Sequence, residues 1–340
     1  MMTSIILYDV QINAVLSQCA ITMLGLGAMH HVLHFIDSRG VMGPRRVFFT
    51  LIFVTLVPLG LLSYVVSIYS SPIAILLVMF GGYSLVRRLG KASGVFAAPP
   101  VLEPQAPGTV RFVCISDTHG KHAHLKIPPG DVLLHAGDFT RRGMLHEIKS
   151  FNDWLGTLPH KRKIVIAGNH ELAMDATAYP SIWRTWHDSF QDPTEARTLL
   201  TNCDYLEHSA TQVDGIRVFG SPYSSPIPGR RMAFNVDRGD NAAALWKTVP
   251  ADTQVLLTHG PPLGILDTVV HDHSHVGDEA LLTQVMSRIR PHVHVFGHIH
   301  ESYGKTTMGT TTFFNAAVCT FLRQPTNPPW VFDLPKQNIS

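Results

Sequence analysis

The sequence predicts a layered α/β domain that follows an apolar, helical, membrane-spanning N-terminal region. Residues 1–95 are strongly apolar and carry few charges, whereas nearly all the acidic residues lie beyond residue 101. In residues 109–336, short apolar runs alternate with segments of helical periodicity, as in α/β domains. The Pro-rich stretch at residues 96–108 separates these two parts and is typical of a linker.

The N-terminal region contains three apolar runs, at residues 12–36, 47–69 and 73–86. The second run is long enough to span a bilayer, while the third is short and the first, which contains three histidines, also suits an interfacial helix. Basic residues lie before the second run and after the third: Arg39, Arg45, Arg46, Arg87, Arg88 and Lys91. Because cytoplasmic loops are enriched in Lys and Arg, we expect an anchored or multi-pass membrane protein with a cytoplasmic catalytic domain. If the third run does not cross, that domain lies on the opposite side.

Composition excludes some partners and leaves others open. The formal net charge of +2 and the absence of a basic stripe argue against a nucleic-acid polymer as a partner. The four cysteines are widely spaced and form no metal-binding or redox pattern, so a reducing compartment is the simpler expectation. The oligomeric state is not predicted.

Strand-length apolar runs and helical repeats alternate through the second part of the chain. We expect strands at residues 110–116, 131–136, 163–167, 216–220, 254–258, 292–297, 310–316 and 330–333. We expect helices at residues 147–155, 179–190, 195–200 and 278–289. This pattern does not distinguish one doubly wound sheet from two packed sheets.

Polar side chains with metal-binding chemistry follow five of the apolar runs. They are Asp117, His119, Asp138, Asn169, His170, His259, His298 and His300. A strand that ends in such a side chain places it at one edge of a sheet, where α/β folds bind their ligands. Because the set contains Asp, Asn and His without Cys or Met, it suits one or two divalent ions of Mn, Fe, Zn or Mg. Two such ions can clamp an anionic phosphoryl group.

The same residues carry a family resemblance. The blocks Asp117-Thr-His119, Gly137-Asp138, Gly168-Asn169-His170-Glu171, His259-Gly-Pro-Pro262 and Gly297-His298-Ile-His300 resemble, in order, the five motifs of the calcineurin-like metallophosphoesterase superfamily. Residues 151–155, 199–202 and 324–329 are similar to the metallophosphoesterase domain-containing subfamily, which is related to class III cyclic-nucleotide phosphodiesterases. The resemblance spans residues 109–336 and implies a four-layer αββα sandwich.

The resemblance also implies a role for each residue. It assigns Asp117, His119 and His300 to a first metal, and Asn169, His259 and His298 to a second, with Asp138 bridging the two. It implies that His170 stabilises the pentavalent phosphorus or protonates the leaving oxygen, while a hydroxide held by the metals attacks in line. Glu171 is expected to support His170 or to orient a ligand.

The expected function is a membrane-anchored, metal-dependent phosphoesterase that hydrolyses phosphodiesters, with cyclic or other nucleotides as candidate substrates. A phosphomonoesterase or protein phosphatase stays open, because both classes use the same two-metal attack. A low-turnover, nucleotide-binding regulator is the other alternative, because some similar proteins carry Gly where this chain has His298.

Arg141 and Arg142, which follow Asp138, suit either a phosphate contact or a solvated loop. Arg230, Arg231 and Arg238 are candidate phosphate contacts, but a surface loop at residues 226–240 is the preferred interpretation. Phe234 and Asn235 in the same loop are candidate base contacts.

Overall fold

The structure is a computed structural model that describes residues 102–337. The three predicted membrane helices and residues 96–101 of the predicted linker lie outside the described residues, so the domain boundaries stay predictions. Between residues 102 and 337, no helix is both long enough and apolar enough to cross a bilayer.

Eleven strands and five α-helices form the described part of the chain. The strands are β1 (Thr109–Ile115), β2 (Val132–Ala136), β3 (Arg162–Ile166), β4 (Asp204–Tyr205), β5 (Ser209–Val213), β6 (Ile216–Ser221), β7 (Val255–Thr258), β8 (Val293–Phe296), β9 (Gly304–Met308), β10 (Thr311–Asn315) and β11 (Trp330–Pro335). The helices are α1 (Leu145–Thr157), α2 (Tyr179–Trp186), α3 (Pro193–Thr198), α4 (Asp240–Lys247) and α5 (Glu279–Gln284). Helix α5 continues into a π-helical turn at Val285–Ile289.

These strands form two sheets. The first sheet has the order β11-β1-β2-β3-β4, and the second has the order β5-β6-β7-β8-β10-β9. Strands β1 to β4 are parallel, and β11 runs antiparallel to β1. In the second sheet, β6, β7, β8 and β10 are parallel, with antiparallel β5 and β9 at its two edges. The carboxyl ends of the parallel strands therefore gather at one edge of each sheet.

Strand β1 shows how the sequence builds the layers. Val110, Phe112 and Cys114 pack between the two sheets, whereas Val113 and Ile115 face the opposite side, against α1. Successive side chains of a strand alternate in direction, so a strand covered on both faces is apolar throughout. Helices α4 and α5 cover the outer face of the second sheet through Trp246 and Leu281. The result is the four-layer αββα arrangement that the resemblance implied.

All eight predicted strands are present, with ends that shift by at most two residues, but three further strands and one helix were not expected. Strand β4 has only two residues, and β5 and β9 are edge strands whose residues are largely exposed, so none shows the apolar run used to identify strands. Helix α4 is short and contains three consecutive alanines, which weakens its apolar periodicity.

Candidate metal centre

The eight predicted side chains converge at the edge where the parallel strands end. Asp117 and Asp138 follow β1 and β2, and Asn169 follows β3, all from the first sheet. His259 and His298 follow β7 and β8 of the second sheet. Three groups have ligand atoms within 4.8 Å of one another: Asp117, His119 and His300; His119, Asp138 and His170; and Asp138, His259 and His298. Each of these groups can hold a metal ion.

The first group is held by short contacts between the two sheets. His300 Nε2 lies 3.1 Å from Asp117 Oδ1 and 3.0 Å from His119 Nε2. His119 Nε2 also lies 3.8 Å from Asp138 Oδ2, which connects this group to the second. The four atoms surround a small space that a single cation can fill.

The third group is centred on His259. Its Nε2 atom lies 2.9 Å from Asn169 Oδ1, 3.3 Å from Asp138 Oδ1 and 3.1 Å from His298 Nδ1. Asp138 thus lies next to both the first and the third group, which is the placement expected of a carboxylate shared by two ions.

Backbone carbonyls fix the tautomers of three of these histidines. The Nδ1 atoms of His119, His259 and His300 lie 3.3, 2.9 and 3.1 Å from the carbonyl oxygens of Thr140, Ala136 and Thr320. A carbonyl only accepts hydrogen bonds, so each Nδ1 carries a proton, and Nε2 is the nitrogen that offers a lone pair to the centre when the ring is neutral. The residues present therefore fit a divalent cation, because facing lone pairs repel each other unless positive charge lies between them.

The ionisation states agree with a site that attracts positive charge. Burial lowers the pKa of His119 and of His298 to about 3. Burial alone would raise the pKa of Asp117, but the hydrogen bond and charge of His300 hold it below its ordinary value. Burial likewise opposes a charge on His259, yet the charge of Asp138 raises the pKa of His259 to about 9. Either a proton or a metal cation supplies the charge that the two carboxylates attract.

The backbone at the site is strained. Asp117, His119, Asp138 and His298 have φ values of 56°, 43°, 55° and 68°, in the left-handed region that non-glycine residues seldom adopt. Each such residue costs about 1 kcal/mol or more, and strain of this kind clusters at functional sites. At Gly168, a side chain would collide with Asp138 and His259, so only glycine allows the two sheets to approach this closely.

Glu171 braces the loops that carry the ligands, rather than contacting the ring of His170. Its carboxylate accepts hydrogen bonds from the backbone amides of Asp138, Thr140 and Gly168 at 2.7–2.8 Å, and from the Thr140 hydroxyl at 2.8 Å. Burial, followed by the charge of Asp138, raises the pKa of Glu171 to about 8. The four donors favour the carboxylate, so they oppose this rise.

Some of the candidate substrate contacts already hydrogen-bond to other residues of the domain, whereas the guanidinium of Arg141 does not. Arg238 donates to the backbone carbonyls of Val276 and Gly277, and the side chain of Arg142 donates to the carbonyl of Trp186. The guanidinium of Arg141 forms no hydrogen bond or ion pair within residues 102–337, and the Cγ atom of this side chain lies close to Gly120. Phe234 is only 2% exposed, so in this conformation it is a core residue and not a surface for a base, contrary to expectation.

Two features of the site were not predicted. The amide nitrogen of Asn169 donates to Met232 Sδ at 3.1 Å, which turns the amide oxygen towards His259.

A cavity beside His298 is lined by Tyr223, Ser224, Ser225, Trp246, Gly260, Pro261, Val276, Asp278 and Leu281. Within the described residues, Ser224 Oγ and Trp246 Nε1 in its lining are buried without a hydrogen-bond partner. Neither Ser224 nor Trp246 lies in a recognisable motif, so sequence reasoning had no signal by which to find them.

With this fold and site in place, comparison with known proteins defines the class. The family model described as Calcineurin-like phosphoesterase matches residues 110–302, more than half of the chain. The chain belongs to this family, and hence to the metal-dependent phosphoester hydrolases.

Individual relatives identify the subfamily to which the chain belongs. The chain is 46% identical over 243 residues to Metallophosphoesterase domain-containing protein 1 of Homo sapiens, a match that covers 68% of this chain and 73% of the relative. The protein of the same name from Mus musculus matches to the same extent. UPF0046 protein K07C11.7 of Caenorhabditis elegans is 41% identical over 239 residues, covering 70% of this chain and 80% of the relative. The expected membership of the metallophosphoesterase domain-containing subfamily is confirmed.

Proposed function

We propose that this chain hydrolyses phosphodiesters, with cyclic or other nucleotides as substrates, at a centre of two divalent ions of Mn, Fe, Zn or Mg. Asp117, His119 and His300 would hold the first ion. Asn169, His259 and His298 would hold the second, and Asp138 would bridge them. When bound, the ions neutralise charge on the phosphoryl group and activate water.

The convergence of acceptor atoms carries this proposal. Nε2 of His119 and Nε2 of His300 lie 3.0 Å apart, and His259 Nε2 lies 2.9 Å from Asn169 Oδ1. The hydrogen bonds of three Nδ1 atoms to carbonyls orient these rings in advance. A set of rings held in this way is costly for a fold unless it binds a cation.

His170 is placed to act on the leaving oxygen. Its Nδ1 atom donates to the carbonyl of Arg141 at 2.6 Å, and its Nε2 atom lies 3.9 Å from Asp138 Oδ2. Because Nδ1 is engaged, Nε2 is the ring nitrogen that can exchange a proton with the leaving oxygen or hydrogen-bond a phosphoryl oxygen. The side chain is 15% exposed, so a substrate can reach it.

The choice of a diester rests on the resemblance of residues 151–155, 199–202 and 324–329 to the metallophosphoesterase domain-containing subfamily, which is related to class III cyclic-nucleotide phosphodiesterases. The guanidinium of Arg141 forms no hydrogen bond or ion pair within residues 102–337, so it is free to pair with a phosphoryl oxygen. The cavity beside His298 has room for about one water molecule, so an organic group of the substrate would lie outside it.

The cellular setting remains as expected from the sequence. The apolar runs of residues 1–95 would anchor the chain in a lipid bilayer, with the catalytic domain in the cytoplasm. A test is to append a reporter after residue 340 and to measure its access to a membrane-impermeant label before and after permeabilisation. Labelling of intact cells would contradict the cytoplasmic placement.

The activity is tested with the purified full chain. Its metal content is measured, and bis-p-nitrophenyl phosphate, p-nitrophenyl phosphate, a phosphopeptide and cyclic nucleotides are offered with each of the four metals. We expect close to two ions per chain and faster turnover of the diester. Preference for a monoester would instead favour a phosphomonoesterase or protein phosphatase. Metal and nucleotide binding without turnover would favour the regulator.

A further inference from the structure

We propose that His187, fixed by Tyr179, is a positioning residue for His170. This inference rests on the proposed function, because it assigns His187 a part in presenting the proton-transferring ring. Neither His187 nor Tyr179 contacts the eight residues of the centre, and no motif in the sequence marks them. Both are buried, with 6% and 0% of their surface exposed.

The side chains of His170 and His187 donate hydrogen bonds to the backbone carbonyls of two consecutive residues. His170 Nδ1 lies 2.6 Å from the carbonyl oxygen of Arg141, and His187 Nε2 lies 2.8 Å from the carbonyl oxygen of Arg142. The orientation of the first carbonyl sets where the ring of His170 points. The second carbonyl belongs to the next peptide group, and the two groups share the Cα atom of Arg142, so a hydrogen bond that holds the second restricts the movement of the first.

A chain of hydrogen bonds fixes the proton on His187. The backbone amide of Gln191 donates to the Tyr179 hydroxyl at 3.1 Å, so the hydroxyl has its own proton free to donate. Tyr179 Oη lies 2.5 Å from His187 Nδ1, which therefore accepts, and His187 Nε2 carries the proton given to Arg142. With the protons placed in this way, every donor from the Gln191 amide to His187 Nε2 faces an acceptor, so His187 is held in one tautomer.

Glu147 holds the same segment from its other side. Its carboxylate accepts the backbone amides of Arg141, Arg142 and Met144 at 3.2, 3.0 and 3.1 Å. The amides are thus fixed by Glu147 and the carbonyl of Arg142 by His187. Glu147 lies in the first turn of helix α1, where its carboxylate accepts the backbone amide of the N-cap residue Met144, whereas the hydrogen bond of His187 satisfies no helix end. We therefore assign His187 the role of positioning the carbonyl of Arg142 and, through that segment, the ring of His170.

The experiment compares variants of the full, metal-loaded chain. His187→Leu removes the donor to Arg142, Tyr179→Phe removes only the hydroxyl, and His187→Gln keeps an amide donor. Ile182→Ala, in the same helix as Tyr179, reduces core packing without touching the hydrogen bonds and serves as the control for stability. We expect His187→Leu to lower kcat on a diester roughly tenfold or more, with KM and metal content unchanged. His187→Gln should restore most of that loss, and Ile182→Ala should cause none at a comparable loss of stability.

A double-mutant cycle with His170→Ala separates positioning from folding. If His187 acts through His170, His187→Leu lowers kcat much less in the His170→Ala background than in the wild type. An equal loss in both backgrounds, or an equal loss in Ile182→Ala, would overturn the inference.

A spectroscopic measurement keeps this test separate from the proposed function. In the zinc-loaded chain with ¹⁵N-labelled histidine, the Nδ1–H signal of His170 is identified by its loss in His170→Ala. We expect this signal to shift or exchange faster in His187→Leu and to recover in His187→Gln. Should the wild type hydrolyse no phosphoester, the proposed function fails, and this signal alone decides the inference. An unchanged signal in His187→Leu overturns it.

Discussion

The Nε2 atoms of His119 and His300 face each other at 3.0 Å, although one residue follows a strand of the first sheet and the other a strand of the second. Each ring is turned by a hydrogen bond from Nδ1 to a backbone carbonyl, to Thr140 and Thr320 respectively. The two sheets are therefore joined at this edge through whatever positive charge lies between the rings.

Removal of the metal ions should destabilise the fold at the edge where His119 and His300 join the two sheets. We expect a chelator to lower the thermal unfolding midpoint of the chain, because a ligand that binds only the native state stabilises it. Adding Mn²⁺ or Zn²⁺ back should restore the midpoint. His300→Ala should shrink the difference between the stripped and loaded chains. Equal midpoints for the stripped and loaded wild type would contradict this expectation.

Substitution of Asp138 should reduce turnover far more than substitution of Arg230, a basic residue in an exposed loop. Asp138→Asn removes the charge that both metal groups share, so we expect kcat on a diester to fall by roughly a hundredfold or more, with loss of bound metal. Arg230→Ala, an exposed position, is the comparison and should change the rate by about twofold at most. Metal content and turnover are measured on the same samples. Comparable losses in the two variants would argue against the bridging role.

His298→Gly should reduce turnover while leaving the fold intact. His298 has a φ of 68°, so glycine relieves backbone strain of about 1 kcal/mol at the same time as it removes a ligand of the second ion. His273→Gly is a matched control, because His273 has a φ of 59° on an exposed loop away from the eight residues. In the metal-stripped state we expect both variants to keep or gain unfolding free energy, and in the loaded state only the first should lose turnover. Full activity in His298→Gly would remove the assignment of the second ion.

Acid should destabilise the chain partly through His294. Burial lowers the pKa of this residue to about 3, so the folded chain keeps it neutral while the unfolded chain protonates it near pH 6.5. Its contribution to stability is therefore complete above pH 6.5 and is lost as the pH falls towards 3. The expected slope is about 1.4 kcal/mol per pH unit. Urea unfolding of the metal-stripped chain across this range measures it, and His294→Gln should flatten the slope. An unaltered slope would show that other groups control acid unfolding.

The positions of the metal-binding side chains were predictable because each follows an apolar run that two packed layers require. The strands before Asp117, Asp138, Asn169, His259 and His298 all lie within two residues of expectation. Periodicity alone could not choose between one sheet and two, because a strand buried on both faces looks the same in either arrangement. The resemblance supplied that choice.

What could not be predicted depends on contacts between distant segments. The carbonyls of Ala136, Thr140 and Thr320 orient three rings, and a carbonyl leaves no mark in a sequence. Phe234 was a candidate contact for a base, yet its ring is buried and its backbone amide donates to Asp175 at 2.7 Å. Edge strands such as β5 are equally hidden, because their side chains are mostly polar and exposed.

The pairing of β1 with β11 has a consequence for synthesis on the ribosome. Thr109 pairs with Pro335 and Cys114 with Trp330, so the strand that leads to Asp117 gains one of its two neighbours only after more than 200 further residues have been translated. A stop codon before Trp330 would spare all eight residues of the metal centre and still leave β1 as an unpaired edge, open to aggregation.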